Sequence, residues 1–120
     1  MEGSAPDVEY DAMAYGWKPG AAHLWRSDRK QTTVLEFDKP AHSEKHPTMK
    51  PIKMLAYLLE NSTFPEAEVL DPFGGSGSTL IACEQLGRKC RMLEIDPRYC
   101  DVIIDRWEAF TGKKAVLLDG

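Results

Sequence analysis

The sequence predicts an α/β fold, a mostly parallel sheet with flanking helices, of which only part is present. Three observations predict it. Helix and strand patterns alternate from residue 51 onward, a glycine-rich turn links one strand to the next helix, and the following strand ends on a carboxylate. With 120 residues the chain is long enough for one domain with a modest core, and short for an enzyme acting on a polymer. Residues 1–45 read as an N-terminal arm with a strand and loop segment, and 46–120 as the α/β core.

The first nine residues are small, acidic or proline-containing, the composition of a loose entry arm. Residues 10–17 carry aromatic side chains and read as a strand, closed by the turn signal Pro19-Gly20; residues 32–37 are a second β-prone run. Prolines and histidines without apolar period make 38–50 a loop. From Pro51, a proline suited to a first helical turn, Ile52, Leu55, Ala56 and Leu59 recur at helical spacing, and the helix is expected to end near Asn61. Glu68–Asp71 is a short strand entering the glycine loop, and Ser78–Leu86 a helix stopped by Gly87. Residues 89–95 form the next strand. Asp96 and Pro97 then open a helix with a capping side chain followed by proline, and Tyr99, Ile103, Trp107 and Phe110 share one of its faces before Gly112. Residues 116–118 are β-prone and predict a last strand. The unit 68–95 is thus a βαβ, the smallest piece that creates a ligand crevice at strand ends.

Composition narrows the class. An apolar fraction of 42% and a charged fraction of 28% are those of a folded soluble domain. No apolar run approaches the roughly 20 residues of a membrane helix and the start lacks a signal sequence, so a cytoplasmic protein is expected. Cys83, Cys90 and Cys100 are three in number without a Cys-x-x-Cys pair, which predicts reduced thiols rather than a disulfide framework or a zinc site. His23, His42 and His46 have no metal-ligand spacing and read as loop or packing residues, so no metal is expected. The net charge of −4 argues against a uniformly basic nucleic-acid binder. Residues 18–53 nonetheless hold eight cations against four anions, an excess that suits phosphates or a solvated loop equally well.

The glycine loop, Asp71-Pro72-Phe73-Gly74-Gly75-Ser76-Gly77-Ser78-Thr79, follows a strand and precedes a helix. Glycines without Cβ atoms permit a close approach, and the helix start offers unpaired N–H groups to a polar ligand. A P-loop needs Gly-Lys-Ser/Thr at its end, whereas Gly77 is followed by Ser78 and Thr79. The glycine spacing also departs from Gly-x-Gly-x-x-Gly, and Asp71 would repel a pyrophosphate. A carboxylate at the loop entrance instead suits an amine or sulfonium. Glu94, 23 residues after Asp71, is placed to accept hydrogen bonds from ribose hydroxyls, whereas Asp96 reads as a helix cap.

At this point the residues resemble a known family. The nine-residue loop is similar to the cofactor motif of the DNA N6-adenine and N4-cytosine methyltransferases, and His46-Pro47-Thr48-Met49-Lys50-Pro51 resembles the segment that precedes it in the permuted, phage and prophage class. The resemblance spans about residues 10–114 and is strongest over 46–111. It implies a Rossmann-like methyltransferase fold, S-adenosylmethionine as cofactor, double-stranded DNA as substrate, and a prokaryotic or phage-encoded protein of restriction-modification type. It further implies that Thr48 and Lys50 hold the methionine carboxylate, that Asp71 lies near the methionine amine, that Phe73 and the turn Gly75, Ser76, Gly77, Ser78 and Thr79 wrap the cofactor, and that Glu94 takes the ribose. Plainer roles exist for three of these: a helix cap for Thr48, a surface cation for Lys50 and a core aromatic for Phe73.

One departure bears on mechanism. The family positions its target amine with Asp/Asn/Ser-Pro-Pro-Tyr/Phe/Trp, and no such segment occurs in this sequence; Asp71-Pro72-Phe73 and Asp96-Pro97-Arg98 do not match it. No catalytic residue is therefore assigned. The expectation is a cofactor-binding part, inactive alone, whether half of a split enzyme completed by another chain, a gene relic or a fragment, with a non-catalytic partner or regulatory module as the alternative. Unpaired strand edges and an uncovered helix face near Trp17, Trp25 and Trp107 predict self-association or a complementing chain.

Overall fold

A computed structural model describes residues 13–27, 34–37 and 50–118. Its elements are α1 (Ile52–Ser62), β1 (Glu68–Asp71), α2 (Ser78–Leu86), β2 (Lys89–Met92) and α3 (Pro97–Thr111). β1 and β2 pair in parallel, Val69 opposite Cys90 and Asp71 opposite Met92, with α2 as the crossover. The expected α/β architecture with a parallel sheet and flanking helices is therefore present.

Each helix end has a local cause. Pro51 stands at the cap position of α1 with extended backbone, one step earlier than the first-turn place expected. At the other end both the amide and the hydroxyl of Thr63 donate to the Leu59 carbonyl, at 2.9 and 2.6 Å, closing the helix after Ser62. α2 ends at Gly87, whose φ of +74° is the left-handed conformation glycine adopts without strain. α3 begins where the Asp96 carboxylate accepts from the Arg98 amide at 2.9 Å, with Pro97 behind it.

Among the described residues the buried apolar ones are Ile81, Ala82 and Cys83 of α2 and Ile103 of α3. α1 packs along α2, and α2 backs both β2 and α3. Strand alternation sends Val69, Asp71, Cys90 and Met92 to the half-covered face of the sheet, while Glu68, Leu70, Lys89 and Arg91 are exposed. Cys83, Cys90 and Cys100 are all free thiols. No helix among the described residues is long and apolar enough to cross a membrane.

Three expectations are corrected. The second strand stops at Met92 rather than residue 95, because its partner β1 turns into the glycine loop after Asp71 and leaves no ladder beyond that point. Residues 116–118 form no strand: Val116, Leu117 and Leu118 are exposed, and no described strand lies beside them to pair with. Residues 13–17 and 34–37 also lack a ladder, while 10–12 and 32–33 lie outside the described residues. The turn at Pro19-Gly20 is present, with the Ala21 amide donating to the Lys18 carbonyl at 3.1 Å and Gly20 at φ +78°. It folds Tyr15, Trp17, His23 and Trp25 into a ring cluster, Trp17 stacked on His23 at 4.0 Å. On α3, Tyr99, Ile103, Trp107 and Phe110 fall on one face as expected; Phe110 at its end is exposed, and Trp107 is half-buried with its indole N–H donating to Glu84 at 2.8 Å. The arm 1–9, the loop 38–49, His42, His46 and Thr48 lie outside the described residues.

Candidate functional site

At the carboxyl ends of β1 and β2 lies a cleft of about 320 Å³, lined by residues of the helix-entry segment, the glycine loop and the end of β2. Of the residues singled out in the sequence, Lys50, Asp71, Phe73, Gly75, Ser76, Ser78, Thr79 and Glu94 line it. Gly77 does not, and Thr48 is outside the described residues. Gly74 of the glycine loop, Leu55 and Tyr99 complete the lining, and the last two were not singled out as site residues. Leu55 and Tyr99 carried a signal: each lies in the first turn of a helix that begins beside the loop.

The loop is built from its bonds outward. The chain leaves β1 at Asp71, whose Oδ1 accepts from the Phe73 amide at 3.0 Å, a side-chain turn that bends the backbone at Pro72. The Gly74 amide donates to the Leu93 carbonyl at 2.8 Å, and the Gly77 amide to the Gly74 carbonyl at 2.9 Å. Glu94 then joins the two sides: Oε1 accepts from the Gly75 amide at 2.7 Å and Oε2 from the Asp96 amide at 2.8 Å. One carboxylate thus binds both the loop and the start of α3. Each of its oxygens keeps a further acceptor position.

The glycines serve the interior more than expected. A Cβ on Gly74 would lie 2.8 Å from Met92 Cγ and Sδ and 3.1 Å from Ile103 Cδ1. One on Gly77, whose φ is +87°, would lie 3.2 and 3.3 Å from Ile103 Cγ1 and Cγ2. Their missing side chains let β2 and α3 approach the loop from behind, which corrects the expectation that all the glycines make room for a ligand. Gly75, at φ +59°, offers its amide to Glu94.

Two further features lie at the cleft. The cap residue of α2 is Gly77, which has no side chain to offer the first turn beside Ser78 and Thr79. Phe73 is 85% exposed and therefore no core aromatic. Charge around the cleft is mixed, with Lys50 and the carboxylates Asp71 and Glu94 all in its lining. The arrangement can bind a ligand with both an anionic end and amine or hydroxyl donors. Among the described residues, no group of three or more His, Cys, Asp or Glu is placed to hold a metal ion.

A family model described as DNA methylase, of the N6/N4 class, matches residues 9–105. The chain belongs to the N6/N4 DNA methylase family. Over 54 residues it is 50% identical to YubD, a methylase candidate of Escherichia coli K12, covering 45% of this chain and 24% of that one. It is 31% identical over 78 residues to the type II methyltransferase M.Cfr9I of Citrobacter freundii, covering 65% of this chain and 26% of that one. The chain therefore spans about a quarter of the length of these curated relatives. Among solved structures, the M1.HpyAVI complex with S-adenosylmethionine is similar at a TM-score of 0.63 and 27% identity, over 73% of this chain and 45% of that one. The cytosine-N4-specific PvuII DNA methyltransferase is similar at 0.51 and 31%, over 53% and 23%. Family membership and fold thus agree with the resemblance read from the glycine loop.

Proposed function

We propose that this chain is the S-adenosylmethionine-binding portion of a DNA methyltransferase that modifies the exocyclic amine of adenine or cytosine. The observation that carries the reading is the charge layout of the cleft: one lysine and two carboxylates around a glycine loop. It fits a cofactor with a carboxylate and an amine at one end, a sulfonium in the middle and a ribose beyond. Lys50, with Thr48, would hold the methionine carboxylate, and Asp71 the amine. The free acceptor positions of Glu94 would take the ribose hydroxyls, and the exposed Phe73 ring would cover the cofactor together with the turn from Gly75 to Thr79. A dinucleotide fits worse, since Asp71 and Glu94 would face its pyrophosphate.

When bound, S-adenosylmethionine supplies a methyl group carried on a sulfonium. The chain's own residues bind and orient; proximity and alignment then contribute most of the acceleration of a direct displacement. The acceptor is an amine on an extruded base, a weak nucleophile that requires a positioning segment. No Pro-Pro segment of that kind occurs in the 120 residues, which supports a chain that binds cofactor but needs a complementing polypeptide to methylate. The exposed Leu70, Leu93 and Ile95 beside the open sheet support such a partner, or a second copy.

The absent segment also favours a second reading, a cofactor-binding partner or regulator without catalysis. Titration calorimetry with S-adenosylmethionine tests the binding claim. Transfer of a labelled methyl group to DNA, by the chain alone and with an added polypeptide carrying the Pro-Pro motif, separates the two readings. Restoration by the added polypeptide is expected; activity of the chain alone would overturn the claim of dependence, and continued inactivity favours the regulator.

A further inference from the structure

Arg106 reaches from α3 to the glycine loop without lining the cleft. Its Nη1 donates to the Ser76 carbonyl at 2.9 Å, to Ser76 Oγ at 3.1 Å and to Ser78 Oγ at 3.3 Å. Ser76 and Ser78 are buried, at 4% and 5% exposure, and both line the cleft. No carboxylate among the described residues forms an ion pair with Arg106. Burial pulls its pKa below the usual guanidinium value, although the group stays charged. A half-buried cation with only neutral oxygens as partners is costly for stability alone, since an apolar side chain would fill the space without a desolvation penalty. Its three acceptors all belong to the loop.

We propose that Arg106 is a positioning residue for the cofactor. Its guanidinium fixes Ser76 and Ser78, and ligand affinity depends on that hold. Ile103, three residues earlier on α3, fills the space left by Gly74 and Gly77, so helix packing sets the depth of the loop. The bond from the Gly75 amide to Glu94 pins the start of the turn. The bonds from Arg106 to a carbonyl and two hydroxyls fix the direction in which Ser76 and Ser78 face, because each oxygen has a direction as well as a distance. The loop is thereby pre-shaped, and binding loses less conformational entropy.

The inference rests on the cofactor reading above, and its test separates the two. The full chain is used, as wild type, Arg106→Ala and Arg106→Lys. S-adenosylmethionine affinity is measured by calorimetry, with about 20 mM guanidinium or methylammonium added to the alanine variant. Loss of the charged hydrogen bonds is expected to weaken binding on the order of tenfold or more, with lysine intermediate because its ammonium falls one bond short. Guanidinium should restore a large part of the loss, and methylammonium little of it. In the ligand-free chain, amide exchange should accelerate at residues 76–78 but not at 87–88, the far end of α2.

Binding by Arg106→Ala within about twofold of wild type would overturn the proposal. So would a loss insensitive to guanidinium and accompanied by equally faster exchange at both ends of α2, the signature of general loosening. If wild type does not bind S-adenosylmethionine while exchange still rises only at 76–78, the cofactor reading fails and the hold on the loop stands. If exchange at 76–78 does not respond, the hold itself is refuted.

Discussion

Replacing Gly77 with alanine should be among the costliest single-methyl additions in this chain. Two separable terms contribute. The backbone at Gly77 has φ +87°, and forcing a residue with a Cβ into the left-handed region costs about 1–2 kcal/mol. The new methyl would also lie 3.2–3.3 Å from two carbons of Ile103, which is buried and cannot retreat into solvent. Overpacking of that kind costs about 1–3 kcal/mol. Gly87 supplies the control: it has φ +74° and open space where a Cβ would stand, so Gly87→Ala carries the first term alone. The unfolded-state effect of adding a methyl is common to both and cancels. Gly77→Ala is therefore expected to be less stable than Gly87→Ala by about 1–3 kcal/mol in urea unfolding followed by far-UV circular dichroism. It should also weaken S-adenosylmethionine binding, since its neighbours Ser76 and Ser78 line the cleft, whereas Gly87→Ala should not. Equal stability of the two variants would refute the close approach of Ile103.

Glu94→Gln exchanges an acceptor oxygen for an amide donor, so one of the Gly75 and Asp96 amides loses its partner. A loss of about 1–3 kcal/mol is expected in urea unfolding, with weaker S-adenosylmethionine binding by calorimetry. The Asp96 carboxyl is held below the usual carboxylate range by the Arg98 side chain and amide, so its stabilising effect is present above that range and is lost as pH falls through its lowered value. Asp96→Asn should accordingly match wild type in strong acid and fall behind it near neutrality, as read from thermal melts of helical ellipticity. Burial raises the Cys83 thiol and pushes that of Cys90 up to about 12, so both should resist a thiol reagent at pH 8 until urea is added. Rapid labelling of all three cysteines in native buffer would contradict this.

The sequence made the helix boundaries between 78 and 97 legible because each has a local chemical cause, whereas the end of β2 depended on where its partner strand turns away. Gly87 stops one helix, Asp96 and Pro97 start the next, and β1 and β2 alternate as short strands do. Strand pairing outside β1 and β2 was not legible, since residues 116–118 have β propensity but no neighbour to bond with. The site was readable as a set of residues because loop, carboxylate and upstream lysine each have a distinct chemistry. Their division of labour was not. Nothing in a run of glycines reveals that Gly74 and Gly77 face Met92 and Ile103, because that depends on how α3 returns across the loop. Arg106 had a signal that was overlooked: a charged residue on the helix face shared by Tyr99, Ile103 and Trp107 needs an acceptor, and the nearest oxygens are those of the loop.

The side chains that shape the loop, Met92, Glu94, Ile103 and Arg106, all follow it within about 30 residues along the chain. Separations of that size are non-local in a chain of 120 residues, so their loop-closure cost is met only when α3 docks against the β1–α2–β2 unit. The cleft is therefore completed with the packing of the last helix. A ligand that binds the completed pocket would draw the folding equilibrium forward by mass action.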